Sequence, residues 1–244
     1  MPETSEALTM KELEAVRMDR EGAQWLSSGL GLETAPISGP PSNRRIFPAA
    51  FDLIVEFEVS SEQVYTACYR SPTWPRGASG VTIGIGYDVG YATNALLHAD
   101  FDGAIPLAMI TAIEAAIGVT GPPAQALAAR LHGTVDLPWD TAIAVHRDKV
   151  IPRWTGLVER SLPNTRALSD CQLGALVSLT YNRGPSFNAV GDRYKEMRDI
   201  KAHMTASEVG SVPGDIRDMG RLWPSVPGLQ KRREREAQLF EAGS

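Results

Sequence analysis

Cysteine and histidine are scarce: two and four residues among 244. Cys68 and Cys171 are too few and too far apart for a disulfide framework or a zinc knuckle, and they read as buried free thiols. His98, His132, His146 and His203 include no i, i+4 pair and no cysteine neighbour, so a metal centre is not expected, nor an organic cofactor. Long apolar runs are missing too. None approaches the roughly 20 residues of a membrane helix, and the opening MPETSEALTMKELEAV lacks the basic start and apolar stretch of a signal peptide. The expectation is synthesis in the cytoplasm, without an integral membrane segment. Basic charge is in deficit, with 24 Lys and Arg against 29 Asp and Glu, which argues against a nucleic-acid partner held by phosphate neutralisation. A Walker lysine and a G-x-S-x-G elbow are also absent. Gly84, Gly86 and Gly90 are spaced one residue too long for a dinucleotide fingerprint.

What is present is a chain with an ordinary core, 43% hydrophobic. Residues 11 to 27 can form one helix, and GLGLETAPISGPPSNRR has the composition of a linker. This divides the chain into an N-terminal extension, residues 1–45, and a main domain, residues 46–244. From Pro48 a mostly buried helix is predicted to about Ser60, and a Pro-containing excursion, RSPTWPRGASG, leads into the strand VTIGIG. Beyond Gly90 the pattern is helical. Thr93 and Ser169 read as N-caps, Gly118 as a stop, and a long segment from Trp139 to about Ser161 should bend near Pro152. Helices around GDRYKEMRDIKAHM and LQKRREREAQLFEA complete an α+β class, a helical body with a small β-hairpin region. Arg221, Lys231, Arg232, Arg233 and Arg235 alternate with Glu234 and Glu236, the pattern of a solvated helix face.

With nucleotide, metal and serine chemistry set aside, carboxylates remain. Glu56, Glu58 and Glu62 cluster at the end of the apolar helix, ahead of GVTIGIGYDVG with its Thr82 and Asp88. A glycosidase needs an acid kept protonated by apolar surroundings and a second polar group to handle water on the other face of the sugar. Glu58, between Phe57 and Val59, suits the first role; glutamates at a helix end also occur simply as solvent-exposed groups. Trp74, between Thr73 and Pro75, is either a stacking platform for a sugar ring or a loop anchor. Asn182 and Arg183 either bind substrate or belong to a helix C-terminus closed by Gly184.

These segments resemble the phage lysozyme family, glycoside hydrolase family 24, and its pesticin-like relatives most closely. FEVSSEQVY followed by GVTIGIGY is similar to the family's helix-borne glutamate, its tyrosine seven residues on (Tyr65 here) and its T-I-G-x-G hairpin. LGALVSLTYNRGPSF and GLQKRREREAQLF are similar to two later helices, so the resemblance runs in order over residues 48–243. It implies a lysozyme-like fold whose hairpin forms one side of a cleft, with Glu58 as general acid and Thr82 as the hydroxyl holding a water. Val59 replaces the usual glycine, and no aspartate lies between Tyr65 and Thr82. In pesticin-like members the aspartate follows the threonine, which assigns that role to Asp88. Tyr87 stands where many relatives carry histidine and, with Tyr65, Trp74, Asn182 and Arg183, completes the candidate sugar contacts.

The activity implied is an N-acetylmuramidase, which cleaves the β-1,4 bond between N-acetylmuramic acid and N-acetylglucosamine in peptidoglycan. Alternatives are a lytic transglycosylase that uses Glu58 alone and a non-catalytic cell-wall-binding module. Reaching the periplasm or wall without a signal peptide would need a holin, as for a prophage endolysin, or secretion machinery, as for an antibacterial effector with an immunity protein.

Overall fold

The computed structural model describes residues 8–18 and 39–243. Most of the linker and the second half of the helix expected over 11–27 lie outside these residues. The first element, α1 (Met10–Met18), starts with a reciprocal cap. Thr9 Oγ1 accepts from the Glu12 amide at 3.3 Å, and the Glu12 carboxylate accepts from Thr9 N and Oγ1 at 2.9 Å each. Helix α2 (Pro48–Val59) has proline in its first turn and buries Leu53, Ile54, Phe57, Glu58 and Val59. It stops at Ser60, whose φ of 67° no helix continues through. Leu8, Leu13 and Val16 are buried, and α1 packs on α2 and on the last helix of the chain.

The strand expected over VTIGIG is shorter. Only β1 (Thr82–Ile83) and β2 (Tyr87–Asp88) pair, antiparallel, with Thr82 opposite Asp88 and Ile83 opposite Tyr87. Gly84 and Gly86, at φ +56° and +72°, turn the chain after two residues. Thr73 extends the ladder, exchanging backbone hydrogen bonds of 2.9 and 2.8 Å with Thr82. Two short helices were not legible beforehand. One is α3 (Glu62–Cys68), capped by Ser61; it buries only Tyr65 and so shows no apolar stripe.

The helical body follows as α4 (Asn94–Phe101), α5 (Leu107–Glu114), α6 (Pro122–Leu131), α7 (Trp139–Val145) and α8 (Ile151–Ser161). Thr93 caps α4 as expected. The irregularity expected at Pro152 falls just before it, in a wide π turn over His146–Val150. The widened turn relieves the clash between the proline ring and the carbonyl four residues back. Helix α9 (Asp170–Arg183), opened by a Ser169–Gln172 capping box, is buried from Gln172 to its end and is the axis of the body. It packs on α2, α8 and the final helix. Gly174 lets α2 come close, because a Cβ there would collide with Ala50. Helices α10 (Lys195–Ala206), α11 (Val212–Asp218, the second unexpected one) and α12 (Pro227–Glu241) close the chain. The class is therefore α+β, mostly helical with one small antiparallel sheet. Among the described residues no helix is long and apolar enough to cross a membrane.

Two expectations about side chains are corrected. The basic segment near the C-terminus is not a solvated face: Arg232 and Arg233 are 0% and 1% exposed, because α12 lies against α9 and finds buried acceptors there. The thiols are free but not buried, since Cys68 is exposed on α3 and Cys171 is half-buried in the first turn of α9.

Replacing Glu236, which neutralises both arginines from inside α12, should be costly. Glu236→Ala is expected to lower stability by about 3–5 kcal/mol, the usual effect of stranding a buried partner charge, measured by urea unfolding. The docking of α1 should depend on acid. Hydrogen bonds from Thr9, then from Lys231, hold the Glu12 carboxyl down at about 2, against an ordinary value of 4.5. A depressed carboxylate stabilises the folded form above its unfolded pKa and loses that contribution as pH falls through the folded one. Amide exchange in α1 should therefore accelerate between about pH 4.5 and 2 relative to α9.

Candidate active site

Glu58 lies in the last turn of α2 and is only 3% exposed. The three glutamates flagged in the sequence separate cleanly. Glu56 is half-buried and accepts from Arg235 Nη1 at 2.5 Å, and Glu62 is exposed at the start of α3. Glu58 alone turns inward. There Arg232 of α12 donates Nη1 to its Oε1 at 3.2 Å. The remaining Arg232 donors go to Glu236 Oε1 (3.1 Å) and the Ser178 carbonyl (3.1 Å), and its guanidinium lies 5.5 Å from the Phe57 ring centre. Ser178 Oγ donates to Glu236 Oε1 at 2.6 Å, Arg233 pairs with Glu236 at 3.1 Å, and Arg233 Nη2 donates to Asn182 Oδ1 at 3.0 Å. Two guanidiniums thus meet two carboxyl groups in one buried cluster. This network was missed from the sequence. Its signals were the Arg232–Glu236 spacing of one helical turn and a serine in the middle of an apolar helix.

On the hairpin, Thr82 is buried and its hydroxyl lies 3.5 Å from the Gly80 carbonyl. Asp88, opposite it, ties the hairpin's base together. Oδ1 accepts from the Gly80 and Gly90 amides at 3.1 and 3.0 Å, and Oδ2 accepts from Gly80 at 3.0 Å. Gly80 and Gly90 cross so closely that a Cβ on Gly80 would sit 2.6 Å from both Asp88 Oδ1 and Gly90 Cα. The outer glycines of GVTIGIGYDVG therefore serve this backbone crossing and the inner two the turn.

Four of the expected sugar contacts are interior groups. Tyr65 is wholly buried, donates to the Leu137 carbonyl at 2.7 Å and packs on Trp139. Tyr87 lies edge-on to Phe101, and burial, with the Asp100 charge nearby, pushes its phenol well above the ordinary range. That Asp100 is itself paired with Arg153 inside the body. Asn182 is held by Arg233, and Arg183, 0% exposed, donates to the Arg193 carbonyl at 2.8 Å and lies 5.1 Å from the Trp223 ring centre. Gly184, at φ 72°, ends α9 behind them. Burial of Tyr87 and of the Asn182–Arg183 pair accords with the hairpin-packing and helix-end readings of these residues. Trp74 differs. Half-buried and anchored by Nε1 to the Ser79 carbonyl at 3.0 Å, it also lines a cavity of about 240 Å³ with Glu14, Arg17, Tyr69, Thr73 and Arg76.

Helix α1 contacts chain neighbours of both candidate groups, Lys231 beside Arg232 and Thr73 beside the hairpin. Glu12 accepts from Lys231, next to Arg232, at 3.0 Å. Arg17 lies 3.8 Å over the Tyr69 ring and its Nη2 donates to Thr73, the backbone partner of Thr82, at 3.4 Å. Among the described residues no three His, Cys, Asp or Glu side chains are grouped to hold a metal ion. No family model and no curated protein sequence matches this chain.

Asp88 should be felt in stability as well as in any reaction. Asparagine at this position keeps one acceptor but turns an NH₂ toward a backbone amide. Asp88→Asn is expected to cost about 1–3 kcal/mol, since the charged acceptor of both amides becomes neutral and the NH₂ opposes the Gly80 amide. Urea unfolding checks the cost, and faster exchange at the Gly80 and Gly90 amides checks its origin.

Proposed function

We propose that this chain is a peptidoglycan hydrolase, an N-acetylmuramidase acting on the β-1,4 bond between N-acetylmuramic acid and N-acetylglucosamine. The observation that carries the reading is the setting of Glu58: an inward-facing carboxyl at the end of an apolar helix, oriented by the Arg232 guanidinium. Arg232 also pairs with Glu236, and its Nη1 fixes the direction of the Glu58 carboxyl. General acid catalysis asks for that combination, an apolar setting and one fixed direction toward the leaving oxygen. Thr82 and Asp88, cross-strand partners on the hairpin, supply the polar groups that direct water at the anomeric carbon from the other face. No step calls for a metal or organic cofactor. The ordered motif resemblance over residues 48–243 supports the same reading. The substrate lies outside the cytoplasm, so the reading includes passage by a holin or by secretion machinery, as an endolysin or an antibacterial effector.

A lytic transglycosylase is the second reading, favoured by one observation: the Asp88 carboxylate is committed to the Gly80 and Gly90 amides. Such an enzyme works with Glu58 alone and leaves an anhydro sugar, lighter by one water than the hydrolytic product.

Turbidity loss of outer-membrane-stripped Gram-negative walls tests the proposal. Glu58→Gln should reduce the rate at least roughly a hundredfold, with urea unfolding measured alongside because the variant takes an acidic group out of a buried arginine cluster while its amide oxygen still accepts from Arg232. Glu56→Gln should change it little. Comparable loss at Glu56 with Glu58→Gln active would reject the assignment. Mass spectrometry of the digest separates reducing ends from anhydro ends.

A further inference from the structure

We propose that α1 is an autoinhibitory plug, seated in the glycan groove of this site and displaced before substrate binds; that the groove holds glycan rests on the muramidase reading. The first observation is closure. A general acid must come within about 3 Å of the oxygen it protonates, yet Glu58 and Thr82 are 3% and 2% exposed. For a polymer to arrive, an element has to move.

Helices α2, α9 and α12 are locked together by the buried Arg232–Glu236 network. Helix α1 and the preceding Leu8 offer an apolar face (Leu8, Leu13, Val16), and Glu12 and Arg17 reach polar partners toward the two ends of the helix. Those end contacts reach chain neighbours of the candidate groups. Glu12 is on Lys231, adjacent to the residue that holds Glu58, and Arg17 is on Thr73, which pairs with Thr82. Five residues of helix separate them, a rise of about 7.5 Å. An inverting glycosidase keeps its acid and its water-handling group about 6.5–9.5 Å apart. By its length, this stretch of α1 matches the gap that a sugar ring and its water would need. Arg17 covers the Tyr69 ring, and the cavity beside Trp74 is the part of the groove that α1 leaves open.

A second, independent observation is Gly228. It lies in the first turn of α12 without the positive φ that calls for glycine. What it provides is room. A Cβ there would be 2.6 Å from Val16 Cγ2, 3.3 Å from the Glu12 carbonyl and 3.5 Å from Leu8 Cδ2, all on or next to α1. The body of the protein carries a seat shaped for this helix.

The test uses the full chain with Gly228→Met, which fills the seat from the α12 side, and Val16→Asp, which charges the plug's buried face. Three readings are taken: amide exchange of residues 10–18, wall turbidity, and binding of a soluble tetrasaccharide of alternating N-acetylglucosamine and N-acetylmuramic acid. Exchange in α1 should rise at least tenfold while α9 stays protected, and wall hydrolysis should rise at least tenfold over the native chain. Released α1 with hydrolysis at the native rate would overturn the plug and leave the muramidase reading standing. Unchanged α1 exchange in both variants would overturn it too, since the helix would not leave its seat. If no form hydrolyses wall, the muramidase reading fails and binding decides: tetrasaccharide bound at least tenfold tighter by the variants supports the plug, and equal or undetectable binding rejects it.

Discussion

A positive charge inside the protein, on Arg232, is the constraint around which the rest is arranged. Burying a guanidinium is costly unless every donor finds an acceptor, and Arg232 finds them on three helices: Glu58 of α2, Ser178 of α9 and Glu236 of its own α12. Satisfying one side chain therefore fixes how three helices meet. It also fixes the direction of the Glu58 carboxyl, so the packing of the core and the placement of the candidate acid are one event. Arg233 repeats the device a residue later with Asn182 and Glu236, which is why the end of α9 is polar in sequence and interior in space.

Elements with strong local chemistry were legible in the sequence. Thr93 and Ser169 cap their helices, Pro48 opens α2, and Gly184 closes α9 with a positive φ, each because the signal resides within one turn of chain. The short α3 and α11 were not, since seven residues with one to three buried side chains leave no readable stripe. Charge patterning misled for a related reason. In RREREAQ an alternating run describes a solvated face and a buried ion cluster equally well, and only the serine and asparagine of a distant helix distinguish them. Of the candidate site, Glu58 and the Thr82–Asp88 hairpin were marked by the motif resemblance, and the structure shows Glu58 buried at the end of α2 and Thr82 opposite Asp88. For Tyr87, Asn182 and Arg183 a sugar contact and an internal packing role were both open in the sequence, because sequence does not show which polar side chains have partners inside.

The hairpin shows how one stretch can meet two demands. Its turn needs left-handed backbone at Gly84 and Gly86, while its base needs Gly80 and Gly90 to touch. Asp88 then clamps the crossing, which makes the loop carrying Thr82 rigid without help from a larger sheet. A two-stranded ribbon alone is marginal in water; here Thr73 adds a partner on the open edge and Tyr87 packs the hairpin against α4.

Helix α1 and its seat on α12 belong to one chain, although 219 residues separate Glu12 from Lys231. Contacts made in cis act at an effective concentration that, for short linkers, is of order millimolar. A separate inhibitor would fall away when the protein is diluted from one compartment into another, but a tethered helix does not. Its occupancy is independent of how much protein is present and responds only to what changes the two faces themselves, such as acid at Glu12 or a ligand that binds one face more tightly. Crowded chains have the reverse option: at high local concentration the α1 of one molecule can seat on the α12 of another, exchanging partners without any new interface having to be built.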